Sequence, residues 1–500
     1  MLVLVFSLCI PLTAFGQAPG KISTSEELPS KLIPAANSGI TQSPNLLKGI
    51  NSFNPKKQSE ASGKGPVVKK EKQKQRFIQN AVRFVKDLDA GNYQQAVKSA
   101  SRPLKKTISA GWMETYWTAN LQQLEMIAGP FIGVGSAELT ESNLVHTNVE
   151  IELQFEHGSL PFILRMERSG KVDDFFINQF TGPFAELPAY GNPDSYTEKD
   201  VVVGKGDFAL PGTLSIPEGK GRFPVIVLVQ GSGASDKDET AYALKPFRDL
   251  AHGLASEGIA VLRYNKRTFE HAAKTMADPN HTVEKETTDD ALAAVQTLKK
   301  EKKIDDGQIF ILGHSQGGMM VPQMLDKDTH DTIAGAVVMG GPARTIQDVV
   351  LDQFDYLFSI GQLAQPEYNF YKEQFSMLND PNFSGDNPPE GFQLGQPVFW
   401  DSINDIRAAE MAKDQSEPLL IIQGERDYQV MADSEIPIWQ EELSHRNDVE
   451  FQLYPKLNHF FTEGEGEMST PYEYLVPANI PDYVINDIAE WIHSRPSTED

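Results

Sequence analysis

The stretch Ile309–Met320, IFILGHSQGGMM, decides the fold. Ile309, Phe310, Ile311 and Leu312 make a continuous apolar run of the kind buried on both faces of a sheet. Gly313-His314-Ser315-Gln316-Gly317 follows, fits G-x-S-x-G, and leads into a helix start. The spelling has a physical logic. A serine on a strand-to-helix turn tight enough to strain its backbone needs neighbours without bulk. Gly313, Gly317 and Gly318 lack a Cβ, so strand and helix can close on one another. The Gln316 N–H then points to where charge would gather on a carbonyl oxygen attacked by Ser315, near a helix N-terminus. The alternative is a glycine-rich turn with no chemistry. The helical pattern Thr287–Lys300 ahead of the strand favours strand–turn–helix.

Working outward, the 500-residue chain is too long for one ordinary domain. Its net charge of −24 and pI near 4.9 argue against nucleic acid or an anionic membrane as the main partner. The opening MLVLVFSLCIPLTAFG is apolar, and Ala14 and Gly16 flank Phe15 as small residues. This predicts a signal peptide over 1–16, without a basic leading segment, and hence a secreted or periplasmic protein. The run is short for a membrane span, so no stable membrane association is expected. Cys9 is the only cysteine and lies inside it. The remaining chain then has no disulfide, no thiol nucleophile and no cysteine metal site.

Residues 17–71 are rich in Ser, Pro, Asn, Lys and Gly and read as a disordered linker. From Gln75 the pattern becomes helical, with Phe77, Val82, Phe84, Val85 and Leu88 at helical spacing and Gly91 as a break. GWMETYWTANLQQLEMIAG gives a further helix. Alternation follows at Val149, Ile151, Leu153 and Phe155, then at Phe162, Leu164 and Met166, with His157-Gly158-Ser159 as a hairpin turn. Helices before a meander predict a small α+β domain over 72–182, with its aromatics in the core. Pro183–Asp194 reads as a linker. DVVVGKGDFALPGTLSIP reads as an antiparallel hairpin. Apolar strands then alternate with amphipathic helices over 195–500: PVIVLVQ, IAVLRY, QIFILG, IAGAVVMGG, PLLIIQG and VEFQLYP. That rhythm predicts an α/β domain with a mostly parallel sheet covered by helices on both faces. Functional groups are expected at the edge where the strands end. Residues 344–417 interrupt the rhythm and predict a helical cap.

A serine nucleophile needs a base, and the base needs an anion to orient it. PLLIIQG runs into Glu425-Arg426-Asp427, and VEFQLYP runs into Lys456-Leu457-Asn458-His459. The order Ser315, Asp427, His459 is the one an elbow architecture implies. His314 sits inside the elbow, His330 follows the nucleophile helix, and His445 and His493 belong to helices. His459 alone stands just beyond a late strand. Glu425 lies close enough to compete with Asp427, and Asp433 is placed to cap the following helix. A second oxyanion donor is expected in the loop Gly231-Ser232-Gly233-Ala234-Ser235, at the Ser232 backbone N–H. No metal or organic cofactor is called for.

GHSQGG, the QGSG loop with DKDET, RYNKR, GERDYQV and LNHFF together resemble the α/β-hydrolase superfamily, in its esterase/dienelactone-hydrolase-like and serine aminopeptidase-like group. The resemblance runs from about Asp200 to the C-terminus. It implies a triad of Ser315, Asp427 and His459 and backbone oxyanion donors at Gln316 and Ser232. Gln230 stands where such families often have His, and Asn265 where they often have Asp. The stretch 72–182 resembles small NTF2-like or cystatin-like domains that precede hydrolases; it suits a carbohydrate- or partner-binding module. The expectation is a serine hydrolase of carboxylic esters, acting on a small-molecule ester or an acylated saccharide or peptide. A serine peptidase and a non-catalytic binding protein on the same scaffold are the alternatives.

Overall fold

The computed structural model describes residues 66–177 and 183–495. The expected signal peptide and most of the expected linker lie outside the described residues. The first helix begins at Pro66, inside the stretch whose composition reads as linker, and runs to Asp89.

Helices Tyr93–Ser99, Arg102–Thr107 and Ala110–Ala128 follow. Two of them start on serine caps: Ser101 accepts from the Leu104 N–H and Ser109 from the Trp112 N–H, each at 3.1 Å. The helices pack on an antiparallel meander of β1 (Phe131–Ser142), β2 (Thr147–Phe155), β3 (Gly158–Met166) and β4 (Val172–Ile177). Val149, Ile151 and Leu153 point into a core with Phe84, Trp117, Phe162 and Leu164. The two-residue period puts Asn148, Glu150 and Glu152 on the opposite face of β2.

The second body is an eight-stranded sheet. Its strands are β5 (Tyr196–Val203), β6 (Leu210–Pro217), β7 (Phe223–Val229), β8 (Ala260–Tyr264), β9 (Ile304–His314), β10 (Ile333–Met339), β11 (Leu419–Gly424) and β12 (Val449–Tyr454). They lie in the order β12-β11-β10-β9-β7-β8-β6-β5. β5 and β6 form the antiparallel hairpin, and β6 meets β8 antiparallel. From β8 to β12 all neighbours are parallel. Apolar side chains fill both faces, in clusters around Val227 and Ile311 on one side and Ile226 and Phe310 on the other. This is the fold expected of an α/β hydrolase.

The chain passes from β7 to β8 on one side and then to β9 on the other. The loops after β7 and β9 therefore part and leave a crevice at the strands' C-terminal edge. Between β10 and β11 the cap contains helices Ile346–Ser359 and Gln365–Ser376. The stretch FWDSINDIRAAEMAK, 399–413, which reads as one further helix of that cap, is split between Pro397–Asp401 and Ala408–Met411. Among the described residues no helix is long and apolar enough to cross a membrane.

Candidate active site

Ser315 stands at the crevice, between the end of β9 and the helix Gln316–Met319. Its backbone has φ 52° and ψ −121°, a conformation that L side chains rarely adopt. Its N–H donates to the Met339 carbonyl at 3.0 Å, which ties the turn to β10. The glycines are required by contact. A Cβ on Gly313 would stand 2.3 Å from the Gly317 carbonyl oxygen, and one on Gly317 would stand 2.3 Å from the Val229 oxygen.

His459 follows β12, and Asp427 follows β11. The His459 Nδ1 lies 2.7 Å from an Asp427 carboxylate oxygen, with both side chains buried. Asp427 is itself held. One oxygen accepts from the Gln429 and Val430 N–H groups at 2.7 and 3.0 Å, and the other from the Gln423 amide at 3.1 Å. Glu425 is exposed and Asp433 lies exposed in the first turn of the helix Ala432–Glu442. His330, His445 and His493 are exposed as well. The structure thus pairs His459 with Asp427.

Ser315, Gln316, Ser232 and His459 all line one cavity of ≈690 Å³. Cap residues Leu394, Phe399 and Trp400 line it too. Gly231 sits against the elbow: a Cβ on it would meet the Ser315 Cβ at 2.9 Å.

Around this loop lies a set of buried charges that sequence reading does not single out. The Gly231 N–H donates to Glu239 at 2.7 Å, and the Gly231 carbonyl accepts from the Lys266 ammonium at 2.6 Å. Lys266 lies 2.5 Å from Glu286, and His281 Nε2 lies 2.8 Å from the other Glu286 oxygen. Burial alone would raise the Glu286 carboxyl, but Lys266 and His281 hold it down to about 2. Glu286 belongs to a π-helical turn, Glu284–Thr288, a geometry frequent at functional sites. The Gln316 side chain donates to Thr287 at 3.2 Å. Glu239 also lies 3.0 Å from His314 Nδ1, while His314 Nε2 is 2.9 Å from the His459 carbonyl oxygen. Burial would lower the His314 pKa; Glu239 outweighs it and raises it. The signal available in sequence was the pair of stretches DKDET and RYNKR just past β7 and β8. Gln230 donates to the Tyr264 carbonyl, and Asn265 donates to Glu270 at 2.7 Å, so both atypical residues are structural fasteners.

One group among the described residues has metal-ligand spacing, His146 with Asp173 and His271. Both His146 nitrogens already face carboxylates, Glu270 at 2.6 Å and Asp173 at 2.9 Å. The Lys274 ammonium sits 2.7 Å from Asp173. A resident ammonium and a doubly engaged imidazole do not fit a cation site.

The cavity also has a wall from the N-terminal domain, including Asn120, Asn148, Glu150 and Phe176. Sequence reading assigns this domain no part in the site, because alternation marks a polar face without saying what it faces.

Comparison with known proteins agrees with the fold. Residues 226–471 match the profile of the "Alpha/beta hydrolase family". "Esterase EstD" of Thermotoga maritima is 38% identical over 422 residues, covering 83% of this chain and 95% of that protein. The Pyrococcus furiosus esterase Pf2001 is 19% identical, with a TM-score of 0.39 over 64% of this chain and 98% of its own. The Pyrococcus horikoshii acylaminoacyl peptidase is 15% identical, with a TM-score of 0.43 over 73% of this chain and 56% of its own. The match to the first of these relatives spans nearly the whole of it, and with the doubly wound sheet and glycine-lined serine turn it places this chain in the alpha/beta hydrolase family.

Proposed function

We propose that the protein is a serine hydrolase that cleaves carboxylic esters through Ser315, His459 and Asp427. The observation that carries this reading is the buried 2.7 Å pairing of His459 Nδ1 with Asp427 beside a cavity that also holds Ser315. Asp427 accepts the Nδ1–H, which leaves Nε2 unprotonated and able to take the Ser315 proton. Ser315 Oγ attacks the ester carbonyl, and the oxyanion forms between the Gln316 and Ser232 N–H groups. The imidazolium returns its proton to the leaving alcohol. Water, deprotonated by His459, then cleaves the acyl-enzyme and regenerates Ser315.

Lys266 belongs to this reading as a positioning residue. In a trans peptide the C=O and the following N–H point in opposite directions. With the Gly231 carbonyl held by Lys266, the Ser232 N–H of the same peptide is fixed on the other side.

The same machinery cleaves activated amides. Esters are preferred here because a relative that aligns along most of this chain is named an esterase. The test is labelling by a fluorophosphonate, wild type beside Ser315→Ala. Labelling of the wild type alone supports the reading; equal labelling of the variant, or none of the folded wild type, overturns it. A panel of matched esters and anilides then separates esterase from peptidase.

A further inference from the structure

We propose that the N-terminal domain forms the specificity half of the cavity, its sheet reading the hydroxylated part of an acylated saccharide whose ester lies at Ser315. The proposal rests on the serine-hydrolase reading and adds the substrate class.

The geometry begins with strand register. Glu150 on β2 lies opposite Ile163 on β3, and Ile163 lies opposite Phe176 on β4. Asn148 lies opposite Arg165, which lies opposite Asp174. These rows are on the face turned away from the domain's own core. In β2 that face is only half-buried, yet the second half of β3 and the first half of β4, which pair with one another, are buried on both faces. The segment 267–277 of the hydrolase domain covers them.

The cover is specific. Arg165 lies over the rings of Phe176 and Phe269, 4.2 and 4.7 Å from their centroids. Asp174 accepts the N–H groups of Ala273 and Lys274 at 2.9 and 3.0 Å, capping the helix Ala272–Ala277 from the other domain. Lys274 pairs with Asp173, and His146 bridges Asp173 and Glu270. The sheet is therefore anchored at β3 and β4. Its uncovered part, with Asn148 and Glu150, gives onto the cavity that Ser315 and His459 share.

The chemistry of this wall selects a ligand. Asn120, Glu141, Asn148 and Glu150 bring carboxylate and amide acceptors together with amide donors. Asn120 donates one N–H to the Tyr116 carbonyl, and its side-chain oxygen remains an acceptor. An anionic group would be repelled by Glu141 and Glu150. An alkyl chain would strip water from four polar groups and return no hydrogen bonds. A polyol offers donors and acceptors on adjacent carbons, and the apolar Ile163 and Phe176 in the same wall can take its C–H face.

The test compares an acetylated xylo-oligosaccharide with p-nitrophenyl acetate in the full chain. Both deliver the same acetyl group to Ser315, so their kcat/KM ratio isolates recognition of the rest of the molecule. Asn148→Leu and Glu150→Leu are each expected to lower the ratio about tenfold, the effect of one lost hydrogen bond. Glu138→Leu is the control: it faces Glu150 across the strands but does not line the cavity, and it should keep the ratio. An unchanged ratio in both cavity variants, an equal fall in the control, or a wild type that turns over only p-nitrophenyl acetate overturns the proposal. Failure of the underlying reading is distinct, since wild type would then not react with a fluorophosphonate.

Discussion

Ser315 holds φ 52° with a side chain that disfavours it. Strain of this kind costs roughly 1–3 kcal/mol and persists where surrounding contacts impose it. Ser315→Gly should therefore unfold at a higher temperature than Ser315→Ala, with neither turning over an ester; calorimetry of the pair checks this. Lys266→Met should lower kcat about 10²-fold while KM stays within a few-fold, the signature of a lost transition-state contact. Lys266→Arg should recover part of kcat, and steady-state kinetics on an activated ester reads both. A fall in KM-type affinity alone would contradict the peptide-holding role. The positions of Ser315, Asp427 and His459 were legible because each follows an apolar strand, and strand ends share an edge. Lys266, Glu239 and Glu286 were not. A lone charge in a loop looks solvated until its partner arrives from another loop, and sequence spacing does not encode that meeting.

Among elements, the β9 turn is the least tolerant. An alanine at Gly317 would put a carbon 2.3 Å from the Val229 oxygen, inside any real contact distance. Neither neighbour is a flexible side chain, so β7 and the helix must separate. Gly317→Ala should lose at least ~2 kcal/mol in denaturant unfolding together with ester turnover. Strand–turn–helix was readable here because apolar run, glycines and helix start agree. The meander was readable in part. Val149, Ile151 and Leu153 announced a buried face, whereas Ile163 and Phe176 on the other face had no visible partner. Both line the cavity, and Phe176 also packs on Phe269, about ninety positions later in sequence; periodicity carries no information about so distant a contact. The stretch 399–413 reads as one helix, yet the chain turns between Asp401 and Ala408, where Ser402, Asn404 and Asp405 favour a turn over a helix interior.

At the scale of the molecule, two bodies meet through ionised groups. Hydrogen bonds to Asp173 and Glu270 raise the His146 pKa although burial opposes them. Glu270 is held down to about 2 by Arg165 and His146 against its own burial. The signs follow from linkage. His146 contributes stability that is complete below its unfolded pKa and lost as pH rises through its raised folded value. Glu270 contributes stability present above its ordinary carboxylate range and lost as pH falls toward about 2. At the acid end His271, kept neutral by burial beside Lys274, also loses stability, while Asp174, raised by burial, acts in the opposite sense. The alkaline limb is thus the cleaner readout. The unfolding temperature should decline there, and His146→Gln should flatten that decline.

The shared cavity has a consequence for descent. The groups proposed to break the bond lie after residue 230, and the wall proposed to choose the substrate lies before residue 178. A recombination that exchanged the front of the gene would hand an intact reaction centre a new clientele in one step. The contacts of His146, Arg165, Asp173 and Asp174 with residues 269–274 would have to be inherited with it. Lineages of such proteins should therefore vary fastest at Asn148 and Glu150 and slowest at the seam that keeps the two parts in register.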